Sequence, residues 1–204
     1  MNIVIVDYGM GNLRSIQRKI DRDGKTAVIS GNLNQIEKAD KLILPGVGHF
    51  GSAVRKLRES GLWDLLNYMA LEKQTPVLGI CLGLQLMTRS SEEGDTKGFG
   101  WFDADVVRFH VQDKLRYKVP HIGWNDVTYK KDSPLTCGID PAKKFYFVHS
   151  YHVISHNAEE VLTTTDYEYP FVSALAKENL FGVQFHPEKS HEHGAQLLKN
   201  FYNL

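Results

Sequence analysis

Three short apolar runs, I-V-I-V at 3–6, L-I-L at 42–44 and V-L-G-I at 77–80, each lead into a helix-like pattern. That alternation constrains the chain more than any other feature. The spacing predicts strands at Ile3 to Val6, Ala27 to Ile29, Leu42 to Leu44 and Val77 to Ile80. Helices are expected at Leu13 to Ile20 behind an Asn12 cap, at Val54 to Leu71 with a break near Gly61, and from Leu82 to Met87. Continuous apolar strands separated by helices imply a parallel sheet covered on both faces, with ligands at the strands' carboxyl ends.

After Gly98 the pattern changes to closely spaced, aromatic-rich segments: V-V-R-F, V-T-Y, F-Y-F-V-H-S-Y-H-V and L-F-G-V-Q-F. These read as strands with turns between them. Leu197, Leu198, Phe201 and Tyr202 share one face of a closing helix. The expected fold is α/β: a mixed, largely parallel central sheet flanked by helices, with an additional antiparallel region in the second half. One domain over 1–204 accommodates it.

The 24 basic and 24 acidic residues balance, so no net field draws nucleic acid or anionic lipid. Two cysteines, Cys81 and Cys137, are widely separated with no C-x-x-C spacing, which argues against a disulfide framework or a zinc ribbon and for the cytoplasm. The N-terminal run turns acidic after four apolar residues and reads as a strand instead of a signal peptide. No run reaches the ~20 apolar residues of a membrane span.

Gly79-Ile80-Cys81-Leu82-Gly83 places a cysteine between a buried strand and a helix, with glycines on both sides. This is the G-x-nucleophile-x-G pattern with cysteine for serine, a sharp turn that pushes the side chain out at the strand's end. The start of the following helix favours the ionised thiol there. A lone cysteine after a buried strand is otherwise a small core hydrophobe, and the paired glycines argue against that. F-H-P-E supplies a base and an orienter: His186 ends a strand, and Glu188, two residues on, falls on the same side if the backbone stays extended. Cys81, His186 and Glu188 thus form a candidate triad defined by roles.

The neighbouring His191, Glu192 and His193 lack H-E-x-x-H or a comparable helical spacing, so no metal site is expected and both histidines read as exposed. Cys137, in P-L-T-C-G-I-D, reads as structural.

Gly46, Gly48 and Gly51 spell G-x-G-x-x-G, the written form of a dinucleotide loop. Yet the next strand ends in Cys81 where a ribose-binding acid belongs, and Pro45 removes a donor from the loop. An oxyanion hole suits the loop better. Its donors would be the amide of Leu82, after the nucleophile, and one from the Val47–Gly48 stretch, with Val47 first.

Taken together, P-G-V-G, G-I-C-L-G-L-Q and Q-F-H-P-E-K-S resemble the class I (triad) glutamine amidotransferases, a flavodoxin-like fold. D-Y-G-M-G-N-L at 7–13, P-H-I-G-W-N at 120–125 and Y-F-V-H-S-Y at 146–151 are similar to the glutaminase subunits of imidazole glycerol phosphate synthases. The resemblance implies hydrolysis of L-glutamine through a Cys81 thioester, without a cofactor. It also implies glutamine contacts from Gln85, Glu93, His149, Ser150 and Tyr151, with Glu92 a rival to Glu93. A solvent-facing helix residue is the plain alternative for Gln85. The implied partner is a (β/α)₈-barrel cyclase subunit in a heterodimer, met through Asn12, Trp124, Asn125 and Tyr146. Ordinary core packing is the alternative for Trp124. The competing readings are a glutaminase serving another synthase, such as that for pyridoxal phosphate; a cysteine hydrolase on a related sheet; and a binding module without turnover.

Overall fold

The computed structural model describes residues 1–204. Its first half comprises β1 (Ile3–Val6), α1 (Leu13–Arg22), β2 (Ala27–Ser30), α2 (Leu33–Glu37), β3 (Lys41–Gly46), α3 (Phe50–Glu59), α4 (Leu62–Asn67), β4 (Val77–Cys81) and α5 (Leu82–Leu86). There follow β5 (Ser90–Ser91), β6 (Thr96–Lys97), β7 (Ala104–Arg108), β8 (His121–Asn125), β9 (Thr128–Tyr129), β10 (Phe145–His149), β11 (Tyr151–Ser155), β12 (Val161–Tyr167), β13 (Tyr169–Lys177), β14 (Leu180–Val183) and α6 (His191–Tyr202).

The main sheet runs β2-β1-β3-β4-β14-β13-β11-β7-β5-β6, with β12 and β9 branching from β13. Pairing is parallel from β2 through β14 and antiparallel from β14 through β13 and β11 to β7. β8 and β10 form a separate antiparallel ribbon. Fold class and layout agree with the expectation.

Alternation along the central strands sends side chains to two cores. Val4, Val6, Leu42 and Leu44 pack with Phe50, Leu57, Leu62 and Leu66 of α3 and α4. Ile3, Ile5 and Ile43 pack on the other side with Ile16 and Ile20 of α1 and Leu197, Leu198 and Phe201 of α6. Both faces are therefore covered, which explains why these strands read as continuous apolar runs.

The differences from the sequence reading are local. α2 is an additional helix of one turn, set by Asn32, whose side chain accepts the Gln35 amide. The helical stretch after β3 begins earlier, at Phe50, and breaks at Gly61, which adopts φ +73°. Asn12 sits at the cap position of α1, but its side chain accepts the Ser15 hydroxyl and no backbone amide.

Candidate active site

β3, β4 and β14 end side by side. Register pairs Gly46 with Cys81 and Ile80 with Val183, so the carboxyl ends of three parallel strands deliver the Pro45–Gly48 loop, Cys81 and the segment leading to His186 to one place. Cys81 itself has φ +56° and ψ −110°, a conformation that costs a non-glycine residue energy and persists only where surroundings over-determine it. The surroundings here are the paired glycines. A Cβ on Gly83 would lie 1.7 Å from the Leu44 carbonyl oxygen, and one on Gly79 would lie 2.7 Å from the Leu84 nitrogen. α5 can approach β3 and β4 closely only because both are absent. With five residues, α5 supplies a smaller dipole than a full-length helix would.

His186 Nδ1–H donates to Glu188 Oε1 at 2.9 Å, and both side chains are nearly sealed from solvent. The contact expected from two-residue spacing forms, although through a 3₁₀ turn at Pro187–Lys189 instead of a continued extended chain. The turn is fixed from beneath: Ser190 Oγ donates to the His186 carbonyl and accepts the Tyr146 amide, while the His186 amide donates to the Tyr146 carbonyl. Burial alone lowers the imidazole's pKa, but Cys81 and the Glu188 carboxylate together outweigh it, and the ring is raised to about 10. His186 Nε2 lies close enough to Cys81 for the sulfur to be the first influence raising the ring, and it has no other hydrogen-bond partner.

A cavity of about 420 Å³ opens beside Cys81, lined in part by Val47, Gly48, Leu82 and Gln85. Glu93, His149, Ser150 and Tyr151 complete the set implied by the resemblance, and Pro120 and Val148 add to the lining. Glu92 points elsewhere, accepting the Arg108 amide at 2.8 Å. Gln85 is only 5% exposed and does not face solvent; its Nε2 donates to the Tyr151 carbonyl and to Gln184 Oε1. The larger cavity, about 590 Å³ and bounded by Arg108–Val119, touches no triad residue.

The Pro45–Gly48 loop is held at both ends. Tyr8 Oη–H donates to the Pro45 carbonyl at 2.8 Å, and the Phe50 amide donates to Glu93 Oε2 at 2.8 Å. Between these anchors the amides of Val47, Gly48 and His49 donate to no protein acceptor, and Gly48 has φ +108°. Donors left free of protein acceptors beside a nucleophile are a precondition for oxyanion stabilisation, which also needs them aimed at the developing charge.

Of the residues read as partner contacts, Asn12 and Trp124 are exposed, Trp124 by 42%, so Trp124 is not a core residue. Tyr146 is half-buried, pairs with Trp124 across β8 and β10, and meets its ring at 5.8 Å. Asn125 is engaged internally, with Nδ2 donating to the Asp166 carbonyl. His191 is exposed and stacks on Trp124 at 4.7 Å, but His193 is half-buried: its Nε2 contacts the Lys144 carbonyl and its ring sits edge-on to Phe145. Cys137 is exposed. No group of three or more His, Cys, Asp or Glu side chains is arranged to hold a metal ion.

Two residues escaped sequence reasoning. Gln184 stands two positions before His186, the same extended spacing that suggested Glu188, and that periodicity could have flagged it. Tyr8 sits within D-Y-G-M-G-N-L, but nothing there points to a partner 37 residues away.

A family model described as glutamine amidotransferase class-I matches residues 4–204, and the chain belongs to that family, enzymes that hydrolyse glutamine with a cysteine nucleophile. Within it, the chain is 49% identical over 98% of both chains to imidazole glycerol phosphate synthase subunit HisH 2 of Methanococcus maripaludis. It is 46% identical over 99% of both to the subunit of the same name from Pseudomonas aeruginosa. Two solved structures share the fold. One is a glutamine amidotransferase, with a TM-score of 0.74, 17% identity and coverage of 100% of this chain and 98% of that one. The other, PurLQS from Thermotoga maritima, has a TM-score of 0.72, 16% identity and coverage of 99% and 97%.

Proposed function

We infer that the chain is the glutaminase subunit of imidazole glycerol phosphate synthase, acting in histidine biosynthesis. The HisH relatives support this reading over nearly their full length, and the observation that carries the chemistry is the convergence of Cys81, His186 and Glu188 beside a cavity edged by unpaired amides. One amidotransferase domain, 1–204, holds the whole site.

In this reading Cys81 Sγ attacks the side-chain amide carbon of L-glutamine. Charge builds on the amide oxygen, where the Leu82 amide and one from Val47 or Gly48 receive it. His186, protonated at neutral pH, gives its Nε2 proton to the departing nitrogen, and ammonia leaves. His186 then takes a proton from water as it attacks the thioester, and glutamate is released. Glu188 keeps the imidazole in one orientation and stabilises its charged form. Gln85, Glu93 and the His149–Tyr151 segment hold the amino-acid portion of the substrate.

Ammonia free in neutral water is protonated and loses its nucleophilicity, so the product needs a receiving subunit. The partner in this reading is a (β/α)₈-barrel cyclase, docked as a heterodimer across Asn12, Trp124 and Tyr146, with Asn125 contributing backbone shape. It uses the ammonia to form imidazole glycerol phosphate and an aminoimidazole carboxamide ribotide. A thiol nucleophile suits a reducing compartment, and this supports a cytoplasmic reaction in this reading.

The test is glutamate release by the purified chain, with and without a cyclase subunit and its ribotide ligand, alongside Cys81→Ala. Release that rises with partner and ligand and vanishes in Cys81→Ala is expected. No release by the wild-type chain under any of these conditions overturns the reading.

A further inference from the structure

Gln184 is fully buried, and its carboxamide reaches both Cys81 and Gln85. β14 pairs Val183 with Ile80, so the next residue, Gln184, comes alongside Cys81, and its amide is tied to the Ser173 carbonyl at 2.9 Å. Its Nε2 lies 3.6 Å from Cys81 Sγ, and its Oε1 accepts Gln85 Nε2–H at 3.0 Å.

The bonding partners fix which end of each amide is which. The Tyr151 carbonyl can only accept, so the Gln85 group 3.1 Å from it is the NH₂ end. That NH₂ donates its second hydrogen to Gln184, which must therefore offer its oxygen there and its own NH₂ to the sulfur. Gln85 thus donates both to Tyr151 and to Gln184, and from Gln85 through Gln184 to Cys81 the relay of donors runs in one direction. This leaves Gln85 Oε1, on a residue that lines the cavity, as the acceptor open to a substrate ammonium.

We propose that Gln184 is a positioning residue for the nucleophile, holding Cys81 Sγ by a directed N–H bond and linking it through Gln85 to the substrate's amino group. This rests on Cys81 being the nucleophile of the proposed reaction. Gln184 Nε2 at 3.6 Å is a directed donor to the sulfur, and the His186 imidazole couples to the same sulfur through its charge. A bond donated to sulfur favours the ionised form and restricts its rotamer. An ammonium drawn onto Gln85 Oε1 polarises that amide and strengthens the next N–H along the chain.

The experiment measures iodoacetamide alkylation of Cys81 across pH in the full chain, for wild type, Gln184→Met and Gln85→Met. Methionine keeps the length of glutamine and removes the hydrogen bonds. Circular dichroism and thermal melting report folding. Gln184→Met is expected to slow alkylation about tenfold at neutral pH and to converge with wild type at high pH, where the thiol ionises without help. A folded Gln184→Met whose alkylation profile superimposes on wild type overturns the proposal, as does a loss by one constant factor at every pH.

Should Gln184→Met not fold, Gln85→Met breaks the relay one link earlier and is expected to move the profile the same way, about threefold. An unmoved profile in that variant also overturns the proposal. Alkylation needs neither glutamine nor a partner, so failure of the glutaminase reading leaves this readout intact and distinguishable.

Discussion

Tyr8 Oη–H donates to the Pro45 carbonyl at 2.8 Å and fixes the near end of the loop that shares the cavity wall with Cys81. Burial, with Cys81 nearby, pushes this phenol well above its ordinary range, so it stays protonated and donating. Tyr8→Phe leaves Pro45 without its partner and gives the loop freedom at its root. The expected result is a partner-stimulated kcat about tenfold lower with the KM for glutamine little changed. Steady-state glutamate release measures both, and a change confined to KM contradicts the role.

In the proposed reaction Cys81→Ala removes the atom that would form the thioester, and Glu188→Ala removes only the carboxylate bonded to His186. Glutaminase activity is expected to vanish in the first and to fall about 10²–10⁴-fold in the second, measured by single-turnover glutamate release. Equal losses count against the assigned roles.

Stability is expected to fall on both sides of a plateau near pH 6.5. His186, raised to about 10, keeps its proton in the folded chain after the unfolded chain has lost it near 6.5. Its contribution is full below 6.5 and is lost as pH rises through 10. His121 behaves oppositely, because burial lowers it to about 4. Between 6.5 and 4 the unfolded chain takes up the proton and the folded ring resists it, so stability falls as pH drops through that window. His149, held well below its ordinary value by burial, adds to the acid side. Urea denaturation midpoints from pH 4 to 10 test this, and His186→Leu should flatten the alkaline limb alone.

Trp124→Ala is expected to weaken binding of the cyclase subunit by about 2 kcal/mol, roughly thirtyfold in Kd, while the isolated chain melts within a few degrees of wild type. The ring is half open to solvent and rests on Tyr146 and His191, so little core packing goes with it. Isothermal titration gives the affinity. An unchanged Kd excludes Trp124 from the interface.

The parallel half and the candidate triad's His186–Glu188 contact were readable because their signals are local. Ile3–Val6 and Val77–Ile80 are apolar runs with clear ends, and Cys81, His186 and Glu188 sit in short stretches that carry their own glycines and proline. What was not readable depends on partners distant in the chain. Gln184 meets Cys81 103 positions away, and its two-residue spacing from His186 tells which side it faces but not that partner. His193 read as one of a polar cluster, and only the fold shows Phe145 and the Lys144 carbonyl beside it. α2 escaped because a five-residue helix is too short to display a period. Glu92 and Glu93 could not be separated by sequence, since adjacent residues differ only in direction. Direction is what the β5–β7 pairing supplies.

The flush ending of β3, β4 and β14 makes the site behave like a combination lock with period two. Gly46, Cys81 and Gln184 fall in line only at the observed register. Sliding β14 by one residue against β4 would rotate Gln184 and His186 to the opposite face together and bring Phe185 against the sulfur. Insertions and deletions should therefore be absorbed in the turns, where they leave the strand phase intact. A single residue gained between Leu180 and His186 would disarm the enzyme while leaving every catalytic side chain present.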